Sequence, residues 1–170
     1  LDIAKTNFSG DLPSLFRNED GKFFSDESQR AGLAANQLLG WGTVFIDADE
    51  DGLPDLVLAN GHVYPEVEGS KIGETYRQRT LIYRNLGGGR FADMSTKSGA
   101  AFEALRPARG LASGDLDGDG RPELVVVNMN DKPSVLRNGS ARGSFVHIRL
   151  EGAKQKSAIG ARVIVESGGR

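Results

Sequence analysis

The chain has 170 residues, 38% of them hydrophobic, with 21 basic and 23 acidic side chains and a formal net charge of -2. That length suffices for one domain with a real core, and the balanced charge offers no basic patch to nucleic acid or an anionic membrane. There are no cysteines, which excludes disulfides and thiolate metal sites, and no apolar run approaches a membrane span.

In chain order, strands are expected near Thr43–Ile46, Leu56–Ala59, Thr80–Asn85, Leu111–Ser113, Leu124–Asn128, Ser134–Arg137, Phe145–Leu150 and Ala161–Glu166. These are short β-branched or aliphatic runs, punctuated by 23 glycines and six prolines, and no segment holds a long helical apolar period. Residues 27–39 have helix-forming composition interrupted by Gly32, which allows one short helix. An insertion, from Gly61-His62-Val63-Tyr64-Pro65 to Arg79, sets the middle of the chain apart.

Two loops stand out. Asp47-Ala48-Asp49-Glu50-Asp51-Gly52-Leu53-Pro54-Asp55 and Asp115-Leu116-Asp117-Gly118-Asp119-Gly120-Arg121-Pro122-Glu123 lie 68 residues apart and share one pattern. Carboxylates occupy positions one, three, five and nine, and glycine (Gly52, Gly120) occupies position six, where the chain must turn sharply. Alternate carboxylates around a tight turn converge on one point, and such clustered charge suits a hard cation with many oxygen ligands, as calcium is. The expected ligands are Asp47, Asp49, Asp51, Leu53 and Asp55 at one calcium site, and Asp115, Asp117, Asp119, Arg121 and Glu123 at a second. Leu53 and Arg121 would contribute only backbone carbonyls. An EF-hand needs glutamate at position twelve and flanking helices, whereas here that position is Leu58 or Val126 inside an aliphatic run.

The repeat extends beyond the loops. Gly42 matches Gly110 and Asn60 matches Asn128 at the same offset, and Gly21-Lys22-Phe23 matches Gly89-Arg90-Phe91. An apolar residue followed by Arg-Asn recurs three times, as Phe16-Arg17-Asn18, Tyr83-Arg84-Asn85 and Leu136-Arg137-Asn138. Asp2 precedes Asn7 as Asp55 precedes Asn60, so Asp2 reads as the ninth position of a third loop that begins before Leu1. The chain is therefore expected to be a piece that starts inside a repeat. Repeats of this size made of short strands point to β-propeller blades.

These residues together resemble the FG-GAP (VCBS) repeat family. The runs Gly42-Thr43-Val44-Phe45-Ile46-Asp47 and Gly110-Leu111-Ala112-Ser113-Gly114-Asp115 look like its strand leading into its loop. The tail, from Phe145-Val146-His147-Ile148-Arg149-Leu150-Glu151-Gly152 to Ser157-Ala158-Ile159-Gly160-Ala161-Arg162-Val163, is similar to the start of an ASPIC/UnbV module. With the Asn60–Pro65 segment, it resembles the cartilage acidic protein family and its bacterial relatives. The resemblance implies an all-β, incomplete propeller: a partial repeat over 1–40, repeats over 41–108 (insertion 61–79) and 109–144, and an ASPIC/UnbV-like start over 145–170. It also implies an extracellular or periplasmic setting.

No catalytic constellation is evident, and the chain is not expected to be an enzyme. His62 in the insertion reads as loop packing, His147 as a strand or surface residue, and Trp41 as core. Gly87-Gly88-Gly89 is a hairpin turn without the lysine and helix of a phosphate loop. The expected role is a calcium-binding interaction or scaffold module for a protein or glycan ligand. The open blade faces predict self-association of the piece. The alternatives are part of a metal-dependent hydrolase or carbohydrate-active protein, or a calcium-dependent lectin.

Overall fold

In the computed structural model, the described residues are 2–34, 37–71, 73–140, 146, 148–152 and 158–166. They form antiparallel sheets in three successive units. The first contains β1 (Ile3–Lys5), β2 (Ser14–Glu19) and β3 (Phe23–Asp26), hydrogen-bonded in that order. The second is a four-stranded meander of β4 (Gly40–Ile46), β5 (Asp55–Asn60), β7 (Leu81–Asn85) and β8 (Phe91–Asp93). A short β6 (Gln78–Arg79) precedes β7, and pairs with β9 (Leu105–Arg106), which follows a single-turn helix α1 (Ala100–Glu103). The third unit orders β10 (Ala108–Gly114), β11 (Glu123–Asn128) and β12 (Ser134–Leu136). Among the described residues, no sheet closes on itself as a barrel.

The register repeats as the sequence does. Thr43 faces Leu58 and Val44 faces Val57; 68 residues on, Leu111 faces Val126 and Ala112 faces Val125. Both pairs carry an irregularity at the same place, between Gly40 and Thr43 and between Ala108 and Gly110. In the first unit Ile3 faces Phe16 and Phe16 faces Asp26, as Leu56 faces Tyr83 and Tyr83 faces Asp93 in the second. Thus β1, β2 and β3 occupy the places of β5, β7 and β8.

The core lies between the sheets. Every residue of β5 is buried, because successive side chains point to opposite faces and both faces are covered. Leu56 and Leu58 pack with Leu15, Ala31, Leu33, Leu81, Tyr83 and Phe91 toward the first unit. Val57 packs with Ile46, Ile82, Phe102 and Leu124, and Ala59 with Ala108 and Val126, toward the third. Each such aliphatic side chain contributes about 1.5–3 kcal/mol on burial. In β11 the alternation is one-sided: Val126 is buried, whereas Val127 is exposed.

Several expectations need correction. The described residues of 27–39 form turns rather than a helix, since Gly32 takes a positive φ of 82° and breaks the segment. Ala161–Glu166 carries no strand and is exposed throughout, with no partner strand among the described residues to supply a ladder. Val146 and Ile148–Leu150 likewise carry none, while Phe145 and His147 lie outside the described residues. Trp41 is 39% exposed and so is not core. Its Nε1 donates to the Gly61 carbonyl (2.8 Å), and the Arg109 guanidinium lies 4.6 Å from the ring centroid.

Candidate metal centre

The two acidic loops join β4 to β5 and β10 to β11. The carboxylate at position one wraps each loop around itself. Asp47 accepts from the backbone N–H groups of Asp51 and Gly52, both at 3.0 Å. Asp115 accepts from Gly118 (2.7 Å), Asp119 (3.1 Å) and Gly120 (2.9 Å). Gly52 and Gly120 adopt φ of 85° and 90°, the left-handed region that glycine enters at little cost.

The carboxylate at position nine ties the loop to the sheet. Buried Asp55 accepts from Ala48 N–H (3.2 Å) and, across the blade, from Asn85 N–H (2.8 Å). Asp2 accepts from Asn18 N–H (2.9 Å), the same bond in the first unit. Glu123, only 3% exposed, accepts from Leu116 N–H (2.9 Å) through Oε2. Its other oxygen, Oε1, is buried without a hydrogen-bond partner. Burial pushes the Asp55 carboxyl up from its ordinary value, opposed by the Asn85 and Ala48 N–H groups and reinforced by repulsion from Asp49 and Asp51.

Carboxylate oxygens of Asp47, Asp49 and Asp51 lie within 4.8 Å of one another, as do those of Asp115, Asp117 and Glu123. Like charges at that spacing repel by about 1 kcal/mol per pair in water and about 3–4 kcal/mol at a protein surface. Asp55 and Asp119 stand apart from these triplets. Asp119 is turned to Arg121, whose Nε lies 3.1 Å away and whose Nη2 makes a second, short contact. That guanidinium holds the Asp119 carboxyl down to about 2. The Arg121 side chain also donates to the Ser140 carbonyl (2.8 Å), so it has a structural task beyond its backbone carbonyl. In the first loop the Leu53 N–H, followed by Arg84, lowers the Asp51 carboxyl.

The arginines beside the loops are what the sequence reading left without a role. Arg84 and Arg137 reach the carboxylates at positions three and five, and their only signal was the recurring Arg-Asn phrase. The asparagines of that phrase fold the next turn: Asn85 Oδ1 accepts from Gly87 N–H and Asn138 Oδ1 from Ser140 N–H. Asn138 Nδ2 also crosses to the neighbouring unit and donates to the Ala48 carbonyl (3.0 Å). A second recurring asparagine pins the following turn in every unit, as Asn7, Asn60 and Asn128.

His62 is buried in the insertion. Its Nδ1 accepts from Tyr64 N–H (3.1 Å), and its ring meets Phe8 edge-on. Nε2 lies 3.1 Å from Glu74 Oε2, close enough for an ion pair but without hydrogen-bond alignment. These contacts fasten the inserted loop.

Two FG-GAP repeat models match the chain. An FG-GAP-like repeat covers residues 72–126, and an FG-GAP repeat covers 108–146. FG-GAP repeats form β-propeller blades, which is the architecture of these stacked antiparallel sheets. They are generally non-catalytic modules that mediate protein interactions, and they often bind calcium. The loop at Asp115–Glu123 falls inside both matched ranges, whereas Asp47–Asp55 falls outside both. No curated protein matches the chain. No helix among the described residues is long and apolar enough to cross a membrane.

Proposed function

We propose that the chain is a calcium-stabilised propeller segment that serves as an interaction or scaffold module outside the cell or in the periplasm. The ligands would be Asp47, Asp49, Asp51, the Leu53 carbonyl and Asp55 at one site. At the other they would be Asp115, Asp117, Asp119, the Arg121 carbonyl and Glu123. The observation that carries the reading is Glu123 Oε1, a buried carboxylate oxygen without a partner, on a side chain that groups with Asp115 and Asp117. A buried anionic oxygen is costly unless a cation neutralises it, and an all-oxygen donor set suits calcium. Extracellular calcium fills sites of modest affinity, which fits loops as exposed as these. The segments 1–40, 41–108 and 109–144 are proposed as successive repeats, and 145–170 as the start of an ASPIC/UnbV-like module.

Thermal unfolding in calcium and in chelator tests this. A ligand bound only by the native state stabilises it by about 2.7 kcal/mol at a hundredfold excess over Kd. For a chain of this size that raises the midpoint by roughly 5–11 °C. Magnesium at equal concentration should do much less, because it demands a tighter octahedral shell. Identical melting in calcium and chelator would exclude the reading.

A further inference from the structure

Arg84 and Arg137 hold equivalent places, each in or just beyond the strand that pairs with the end of an acidic loop. Arg84 Nε lies 2.8 Å from Asp49 Oδ2, and its Nη2 3.1 Å from Asp51 Oδ2. Arg137 Nη2 lies 2.9 Å from Asp117 Oδ2 and 3.9 Å from Asp119 Oδ2. One guanidinium thus spans positions three and five in both copies. Arg17, the matching residue of β2, lies 3.8 Å from Glu19 and touches neither of the two loops.

These are the same carboxylates that the calcium reading requires. An oxygen shared between a dication at 2.3–2.6 Å and a guanidinium at hydrogen-bond distance would bring the two cations within about 5 Å of each other. Like charges so close oppose joint occupancy. The arginines are also free to leave: their side chains are 47% and 71% exposed. Both line one cavity of about 480 Å³ between the second and third units, with Ile82, Phe102 and Leu136 among its apolar walls.

We infer that Arg84 and Arg137 are built-in counter-ions of the metal loops, which calcium displaces on binding. The inference rests on the calcium reading above. Without metal, each guanidinium neutralises carboxylates that would otherwise drive the loop apart. With metal, the side chain swings off toward the cavity, and the cost of parting it from two carboxylates lowers the apparent affinity. The arginines therefore set how much calcium the loops need, and they keep the metal-free loop in shape. A residue that merely orients the ligands would act in the opposite direction, since its removal would weaken binding.

Calorimetric calcium titrations of the whole chain at low salt decide between these, using Arg84→Gln, Arg137→Gln and, as control, Arg17→Gln. Each of the first two should tighten one site about two- to fivefold, as expected for release from an exposed ion pair. The control should leave both sites unchanged. In chelator, the same two variants should melt below the wild type, and calcium should abolish the difference. If a glutamine variant does not fold, Arg84→Lys keeps the charge without the two-oxygen grip and should tighten the site by less. Calcium binding by the wild type with unchanged or weaker binding by Arg84→Gln and Arg137→Gln would overturn the counter-ion role alone. A wild type that binds no calcium would overturn the calcium reading and this inference with it.

Discussion

Replacing Gly42 by alanine would place a methyl group where β4 passes β10. Its Cβ would stand 2.6 Å from the Leu111 nitrogen, 2.8 Å from Leu111 Cβ and 3.0 Å from the Gly110 carbonyl carbon. Two of those three atoms are backbone, so no rotamer change relieves the clash, and the two strands must separate. Gly42 is not among the positive-φ glycines, so the penalty is steric rather than conformational. Inserting a methyl into packed structure costs about 1–3 kcal/mol, offset by about 0.4–1 kcal/mol because alanine restricts the unfolded chain. The net loss of about 1–2 kcal/mol lowers the melting midpoint by roughly 2–8 °C. Gly110 is the internal control. It sits in the same bulged place 68 residues later, but there a Cβ would meet only the Val127 side chain, at 3.4 and 3.5 Å. Gly110→Ala should therefore be neutral to about 1 kcal/mol stabilising. Thermal and urea unfolding of both variants in calcium would measure this. Equal losses at the two glycines, or none at Gly42, would refute close approach of neighbouring units as the reason for glycine.

Two further outcomes follow from buried polar groups. Asp55→Ala leaves the Ala48 and Asn85 N–H groups without their acceptor and should cost about 2 kcal/mol even in chelator, as read by urea unfolding; a loss seen only in calcium would mean that Asp55 serves the ion alone. Burial pushes the Tyr83 hydroxyl up to about 12, with Asp93 adding to the shift. The unfolded phenol ionises near 10, so the native state holds its proton longer and stability falls as pH rises from about 10 to 12, by about 2–3 kcal/mol. Tyr83→Phe should flatten that alkaline loss, and a variant with the wild-type pH profile would assign it to other groups.

The parts of the fold legible in the sequence were those in which one local pattern sufficed. The aliphatic runs Leu56–Ala59 and Leu124–Val127 follow directly on the acidic turns, so strand and loop announced each other. The first sheet was not legible, because Ser14–Glu19 (SLFRNE) is half polar and becomes a strand through its partners on both sides. The tail failed in the opposite sense: Ala161–Glu166 has strand-like composition, yet no strand among the described residues pairs with it. At the loops, spacing indicated which carboxylates gather but not which are drawn off. That Asp119 faces Arg121, and that Glu123 keeps a buried oxygen without a partner, depends on side-chain length and on strands remote in sequence.

The bond from Asn138 Nδ2 to the Ala48 carbonyl joins the third unit to the middle of the first acidic loop. Ala48 lies between Asp47 and Asp49, and Asn138 follows Arg137, which grips the second loop. The two loops are thus in series along one short path of covalent and hydrogen bonds. Whatever stiffens the first loop restrains the residue next to the arginine that holds the second, and linkage makes that influence mutual. A tension applied along the stack would be carried from blade to blade through these turns as well as through the apolar faces. The edge on which the acidic loops lie is therefore a mechanical seam.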